Sequence, residues 1–262
     1  MGSMLLLIAI LLHLSLAAWF LHYLLTHDKG NREPTWALVV SCLLGIISIV
    51  LALIGNGAWA DYYFGIAQQT HTLGDAWAGA WRVGVVEEVA KALPVGLFIF
   101  RRRFFNESTD GVIYFGLAAL VFGTLENIMY SLSEGGGTGL VRIFMTPFLH
   151  VALTAAFGYY IARWRLGLSS LWKAALVFVG AVLVHAIYDA SLLAMPTSAW
   201  LGLVSLTLSL STTIGIFLIY AHAHKSDLTL GLATDGVRAF CRSCGRPNPQ
   251  HDLYCSACGK KA

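Results

Sequence analysis

Seven apolar stretches recur along this chain of 262 residues, each close to the length that a helix needs to cross a bilayer. About 20 residues, rising about 1.5 Å each, span the hydrocarbon layer. Backbone in lipid has to satisfy its own hydrogen bonds, so the stretches are predicted helices. The sequence therefore predicts an all-α polytopic membrane protein. Its spans are 4–25, 36–57, 79–100, 111–131, 144–163, 171–194 and 199–221.

Basic residues favour every second connection between these spans. Connection 58–78 has no Lys or Arg, and 132–143 has Arg142 alone. Because basic loops stay on the cytoplasmic side, the pattern predicts a multi-pass protein of the cell membrane with its N-terminus outside and its C-terminus in the cytoplasm. The net charge of +3 follows from this topology, so no nucleic-acid partner is expected. The residues of the basic connections are Lys29, Arg32, Arg101, Arg102, Arg103, Arg163, Arg165 and Lys173.

A short cysteine-containing tail follows the last span. The predicted organisation is a helical bundle over 1–221, a polar linker over 222–240 and a small domain over 241–262. Two CxxC pairs in the tail can present four thiolates to one structural Zn²⁺, which makes a zinc ribbon. In a cytoplasmic tail, zinc is expected rather than disulfides, and the ribbon is expected to dock a cytoplasmic protein. The ligands are Cys241, Cys244, Cys255 and Cys258.

Ionisable residues lie inside four of the apolar stretches, where each costs several kcal/mol unless it is paired, neutral or bound to a metal. Counted from the predicted outer ends of their helices, they lie in one layer, in the outer half of the membrane. We expect a single polar site in this layer. Its predicted members are Glu87, Glu88, Lys91, Glu126, His150, His185 and Asp189.

Helical spacing relates several of these side chains. Lys91 lies one turn from both Glu87 and Glu88, so it can neutralise one carboxylate and leave the other for chemistry. His185 and Asp189 lie on one face, so Asp189 is expected to fix the imidazole tautomer and leave the other nitrogen for a metal or a proton.

The residue types suit hydrolysis by activated water. Two histidines and two or three carboxylates can hold Zn²⁺ with an open position for water, beside a glutamate that acts as general base. A second mechanism needs no metal: a glutamate activates water directly and the histidines stabilise the oxyanion. The predicted metal ligands are Glu88, Glu126, His150 and His185, and the first mechanism assigns the base to Glu87.

Four motifs together resemble the PrsW family of intramembrane proteases, distant relatives of the CAAX prenyl endopeptidases. They are Glu87–Lys91 (EEVAK), Asp110 followed by Phe122-x3-Glu126-Asn127, Arg142 followed by His150, and His185-x3-Asp189. They cover 79–190. The resemblance implies cleavage of a membrane-anchored protein, such as an anti-sigma factor, on its outer side. It also implies a catalytic set of Glu87, Glu88 and His185, joined by Glu126 and His150. We add Asp189 to this predicted catalytic set as the partner of His185. The zinc ribbon departs from the family's minimal pattern.

Two other functions are compatible with a polar layer of this kind. An ion or proton transporter also uses chains of Glu, His and Asp residues. A scaffold without catalysis would act through the zinc ribbon, and truncation at about 225 would then abolish its function.

Two local predictions concern connections. Asp110 ahead of Gly111 predicts the N-cap of the fourth span. The run Glu134–Gly139 (EGGGTG) predicts a flexible loop that gates the substrate's path to the site.

Overall fold

The computed structural model describes residues 2–27, 33–57, 73–146, 148–233, 238–240, 247–249 and 258. Within these ranges the chain forms eight α-helices and one short 3₁₀ helix, Met195–Thr197. The α-helices are α1 (Gly2–His27), α2 (Thr35–Gly57), α3 (Leu73–Phe98), α4 (Ser108–Glu134), α5 (Gly136–Met145), α6 (Leu149–Arg165), α7 (Leu171–Leu193) and α8 (Trp200–Leu230).

The helices confirm the predicted class, an all-α polytopic membrane protein. By length and composition, α1, α2, α4, α7 and α8 can each cross a membrane. The other two predicted spans correspond to α3, which carries several charged residues, and α6, which has 17 residues. A count of seven crossings stays a prediction.

Helix α4 is the central element, with α2 and α6 packed closely against it. A Cβ atom on Gly111 would lie 2.0 Å from the carbonyl oxygen of Gly158 on α6. A Cβ atom on Gly45 of α2 would lie 2.4 Å from the carbonyl oxygen of Ala118. Small residues at such crossings let helix backbones approach and gain van der Waals contact, which is the main source of helix association in lipid.

The N-terminus of α4 differs from the prediction. Glu107, not Asp110, is the N-cap, and Asp110 is the third residue of the helix. The carboxylate of Asp110 accepts from the backbone N–H of Glu107 at 2.8 Å, in a capping box. Asp227 of α8 accepts from the N–H groups of Ser108 and Thr109 at 3.0 and 2.7 Å. These two carboxylates therefore satisfy three of the four orphan donors of this buried helix end, and the side chain of Glu107 satisfies the fourth, that of Asp110.

The predicted flexible loop at Glu134–Gly139 is wrong. Helix α4 continues to Glu134, Gly135 takes a φ of 95°, and α5 begins at Gly136. A Cβ atom on Gly136 would lie 2.3 Å from the backbone nitrogen of Leu6 on α1. The glycines supply a tight turn and close helix packing, which composition alone does not distinguish from flexibility.

The last helix continues past the predicted boundary at 221, to Leu230. In the tail, β1 (Arg238–Phe240) pairs antiparallel with β2 (Pro247–Pro249). Of the four predicted zinc ligands, Cys258 is described and exposed. Cys241, Cys244 and Cys255 lie outside the described residues, so the zinc ribbon stays a prediction.

Candidate active site

Helix α3 brings three charged side chains into the interior. Glu87, Glu88 and Lys91 are buried, and Lys91 has no exposed surface. Its Nζ donates to Oε1 of Glu88 at 2.6 Å and lies 2.9 Å from Nδ1 of His150 on α6. Thr154 donates to the other oxygen of Glu88 at 3.3 Å. Lys91 is therefore paired with Glu88, which leaves Glu87 without a direct cationic partner on its own helix.

The orientation of His185 on α7 is set by Glu88. Nδ1 of His185 lies 2.8 Å from Oε1 of Glu88, whereas Nε2 lies 3.4 Å from Asp189 and 3.6 Å from Oε2 of Glu87. Because a carboxylate only accepts, Nδ1 carries a proton that is directed at Glu88. Glu88 is thus the nearer carboxylate partner of the imidazole, whereas Asp189, the expected partner, lies beside Nε2 together with Glu87.

A second group surrounds Glu126 on α4. Its Oε2 lies 2.7 Å from Nε2 of His150, an ion-pair distance without the alignment of an N–H hydrogen bond. Its Oε1 accepts from Nη2 of Arg142 on α5 at 3.0 Å. Nε of Arg142 donates to Asn127 at 2.7 Å, and its guanidinium lies 3.9 Å from the ring centre of Tyr130. The planar guanidinium of Arg142 thus pairs with Glu126 through Nη2 and with Asn127 through Nε.

A cavity of about 280 Å³ reaches this polar cluster from one end of the bundle. Glu87, Glu126 and Asp189 line it, together with Arg142 and Tyr130. Glu88 is absent from the lining, consistent with its bonds to Lys91 and His185. The site therefore has two kinds of carboxylate. Glu87, Glu126 and Asp189 line the cavity, whereas Glu88 lies deeper and orients Lys91 and His185.

The donor set fits a metal ion. One donor atom from each of Glu87, His150 and His185 lies within 4.8 Å of the others, and all three residues are buried. Oε2 of Glu87 and Oε2 of Glu126 are buried without a hydrogen-bond partner among the described residues. A buried carboxylate oxygen is costly to leave unsatisfied, so these atoms suit a cation or an ordered water.

The structure brings all six predicted site residues, Glu87, Glu88, Glu126, His150, His185 and Asp189, into one cluster. Arg142, Thr146 and Asn56 were not predicted as members of it. Thr146 donates to Asn127 at 2.9 Å, and Asn56 lies 3.5 Å from Oε1 of Glu87. One feature of the sequence pointed to Arg142 as a member of the site: it is the lone basic residue in a connection predicted to lie outside.

Comparison with known proteins agrees with this geometry. The model of the "PrsW family intramembrane metalloprotease" matches residues 33–234, most of the chain. The chain belongs to the PrsW family. The resemblance drawn from the short motifs is thereby confirmed over a longer range than 79–190.

Several relatives named Protease PrsW are similar to this chain. The protein of Geobacillus kaustophilus is 30% identical over 178 residues, which are 66% of this chain and 75% of the relative. That of Clostridioides difficile is 27% identical over 170 residues, 62% of this chain and 69% of the relative. That of Bacillus subtilis is 24% identical over 184 residues, 69% of this chain and 80% of the relative. No solved structure gives a significant match.

Membership in the PrsW family makes this chain an intramembrane protease and a multi-pass membrane protein. Its substrate is accordingly a protein embedded in the bilayer. The transporter and scaffold alternatives are set aside by this membership.

Proposed function

We propose that this protease hydrolyses a peptide bond of a membrane-anchored, anti-sigma-factor-like protein in the outer half of the bilayer. The cavity that carries Glu87 and Glu126 is the main support. It opens toward the N-terminal half of α3 and the C-terminal ends of α4 and α7, with Val83, Glu134 and Leu193 in its lining. Those helix ends are the ones that the basic loops predict to face outside. The N-terminus is then outside and the tail cytoplasmic.

Glu87, His150 and His185 would hold the metal, for which Zn²⁺ fits the mixture of nitrogen and oxygen donors. When bound, such an ion supplies Lewis-acid polarisation and lowers the pKa of water. By accepting from Nδ1, Glu88 keeps Nε2 of His185 directed at Glu87 and Asp189, which line the cavity. This assignment makes Glu87 a ligand instead of the predicted base, and Glu88 an orienting group instead of a predicted ligand.

Glu126 is the general base in this proposal. Glu126 lines the cavity, Arg142 holds its Oε1, and its Oε2 has no aligned hydrogen bond among the described residues. Oε2 accepts a proton from the attacking water as the water oxygen bonds to the scissile carbonyl carbon. The same proton then passes to the leaving amine nitrogen as the C–N bond breaks. Asp189, 3.4 Å from Nε2 of His185, adds negative charge beside that imidazole.

Cleavage of a defined membrane substrate tests the proposal. The full chain, reconstituted in vesicles, is mixed with a single-span anti-sigma-factor-like protein, and the products are mapped by mass spectrometry. We expect one main cut in the outer half of the substrate's span or just beyond it, inhibited by a chelator and restored by Zn²⁺. A cut in the cytoplasmic half would contradict the proposed sidedness, and chelator-resistant activity would contradict the metal.

The metal content separates the two zinc sites. We propose that the tail cysteines bind one structural Zn²⁺ and that the ribbon docks a cytoplasmic protein. The wild-type chain should then contain two zinc ions, and the full-length double variant Cys241→Ser with Cys244→Ser should contain one. The remaining ion should be lost on His185→Ala. One zinc in the wild type, removed by the cysteine variant, would favour glutamate-activated water without metal.

A further inference from the structure

A second cavity lies in the other half of the bundle, away from the polar cluster. It has a volume of about 340 Å³, within the usual range of ligand sites. Helices α3, α4, α6 and α7 line it with apolar side chains and one glycine, including Leu97, Phe115, Phe157 and Phe178. Leu97 is 61% exposed, so the cavity is a cleft that opens sideways toward lipid. We call it the lateral cleft.

Basic side chains surround the end of the lateral cleft at which α3 terminates. Phe100 lines the cleft, and its ring stacks on Trp164, with centroids 6.1 Å apart and planes 3° apart. The guanidinium of Arg165 lies 5.3 Å from the centre of the same ring. Directly after Phe100 come three exposed arginines, Arg101, Arg102 and Arg103.

The main chain ties this basic rim to the helices of the cleft. Nη2 of Arg165 donates to the carbonyl oxygen of Arg102 at 2.7 Å, and Nε of Arg102 donates to that of Phe98 at 3.0 Å. Trp164 is 40% exposed, as expected for a side chain at the boundary between hydrocarbon and headgroups. An apolar cleft thus ends beside a cluster of positive charge, at the end of α3 that the basic loops predict to face the cytoplasm.

We propose that the lateral cleft binds one acyl chain of an anionic phospholipid, whose phosphate is held by the arginine rim. Guanidinium groups bind phosphate by charge-assisted hydrogen bonds, and basic sites beside transmembrane helices recognise anionic lipids. Among the described residues, the lining contains no polar side chain that would favour a peptide or a polar ligand. A neutral phospholipid would fill the cleft but would gain less from the rim.

Gly96 permits a direct test: it lines the cleft, and no atom of the described residues lies within 4 Å of a Cβ atom built on it. Gly96→Leu therefore fills the cleft without moving the backbone. Gly215→Leu on α8 is the matched control, since its Cβ position is equally open and lies outside the cleft. Native mass spectrometry of the full chain, after exchange into equal amounts of phosphatidylglycerol and phosphatidylcholine, counts the retained lipids.

We expect the wild type and Gly215→Leu to retain one phosphatidylglycerol, about tenfold in preference to phosphatidylcholine. Gly96→Leu should lose this lipid. The double variant Arg101→Gln with Arg103→Gln should retain lipid with the preference reduced toward one, whereas Lys at both positions should preserve it.

Equal retention of the two lipids by the wild type would overturn the proposal, as would full retention of phosphatidylglycerol by Gly96→Leu. Should Gly96→Leu fail to fold, Leu97→Trp places new bulk in the same cleft from an exposed position. The readout is lipid retention and not proteolysis, so it stands or falls independently of the proposed cleavage.

Discussion

Two adjacent glutamates in α3 have different surroundings although the sequence makes them look equivalent. Glu88 is bonded to Lys91, His185 and Thr154 in a closed network. Glu87 lines the cavity, and its Oε2 has no hydrogen-bond partner among the described residues. We infer that Glu88 stabilises the fold, while Glu87 takes part in the reaction.

This difference predicts that replacement of Glu by Gln mainly affects activity at position 87 and stability at position 88. Glu87→Gln should lower kcat/KM by about 100-fold or more, because it removes a proposed metal ligand, while leaving the stability of the metal-free protein unchanged or higher, because its Oε2 has no hydrogen-bond partner there among the described residues. Glu88→Gln should lower the free energy of unfolding by about 3 kcal/mol or more, because it leaves Lys91 buried without a counter-charge. Substrate cleavage and thermal unfolding in detergent measure the two effects. A loss of stability in Glu87→Gln would contradict the assignment.

Arg142 provides a second residue-scale prediction. Arg142→Lys keeps the charge but cannot bond both Glu126 and Asn127 in one plane, so kcat should fall by about tenfold with a smaller change in KM. Arg142→Gln should fall further, because Glu126 also loses its counter-charge. Reconstituted cleavage assays give both constants. Equal kcat for Arg142→Lys and the wild type would show that the planar fork is dispensable.

At the level of elements, α5 is a packed helix held against α1. Nε2 of His13 lies 3.0 Å from the carbonyl oxygen of Gly139, and a Cβ atom on Gly139 would lie 2.9 Å from the Cβ atom of Ala9. Because α5 also carries Arg142, its position against α1 is expected to determine where Glu126 is held. The hypothesis of a flexible loop that gates the substrate is therefore replaced by one in which the packed helix α5 positions Arg142 and, through it, Glu126.

The glycines of α5 allow a matched comparison. Gly136→Ala would place its Cβ 2.3 Å from the backbone of α1, so it should destabilise by about 1–3 kcal/mol and slow cleavage. A Cβ atom on Gly137 would have no neighbour within 4 Å among the described residues, so Gly137→Ala should be neutral or slightly stabilising. Thermal unfolding and cleavage rates of the two variants are compared. If Gly137→Ala slows cleavage and Gly136→Ala does not, flexibility is the property that matters after all.

At the scale of the molecule, the last helix secures the central one. Asp227 has no exposed surface and accepts from two backbone N–H groups and the hydroxyl of Thr109 at the start of α4. A truncation at about 225 would remove this contact along with the tail. Deletions meant to isolate the tail should therefore begin after Ala233, which is buried.

Asp227→Asn should destabilise the bundle by about 1–3 kcal/mol, since one carboxylate oxygen and the charge at a helix N-terminus are lost. Lys225→Gln, at an exposed position on the same helix, serves as control and should be neutral. Both are measured by thermal unfolding of the full chain. Equal unfolding temperatures for Asp227→Asn and the wild type would show that α8 does not secure α4.

Length and composition determined the long apolar helices, their order and the ionisable residues of the polar cluster other than Arg142, because hydropathy is local and a buried charge is costly wherever it lies. Only the tertiary structure decided which charge meets which. It paired Lys91 with Glu88, gave His185 to Glu88 rather than Asp189, and placed Arg142 on Glu126. Those pairings depend on the rotation and separation of neighbouring helices, and close approaches such as that of Gly136 to α1 set both. Helical spacing within one segment of the sequence carries no information about the rotation or the separation of neighbouring helices.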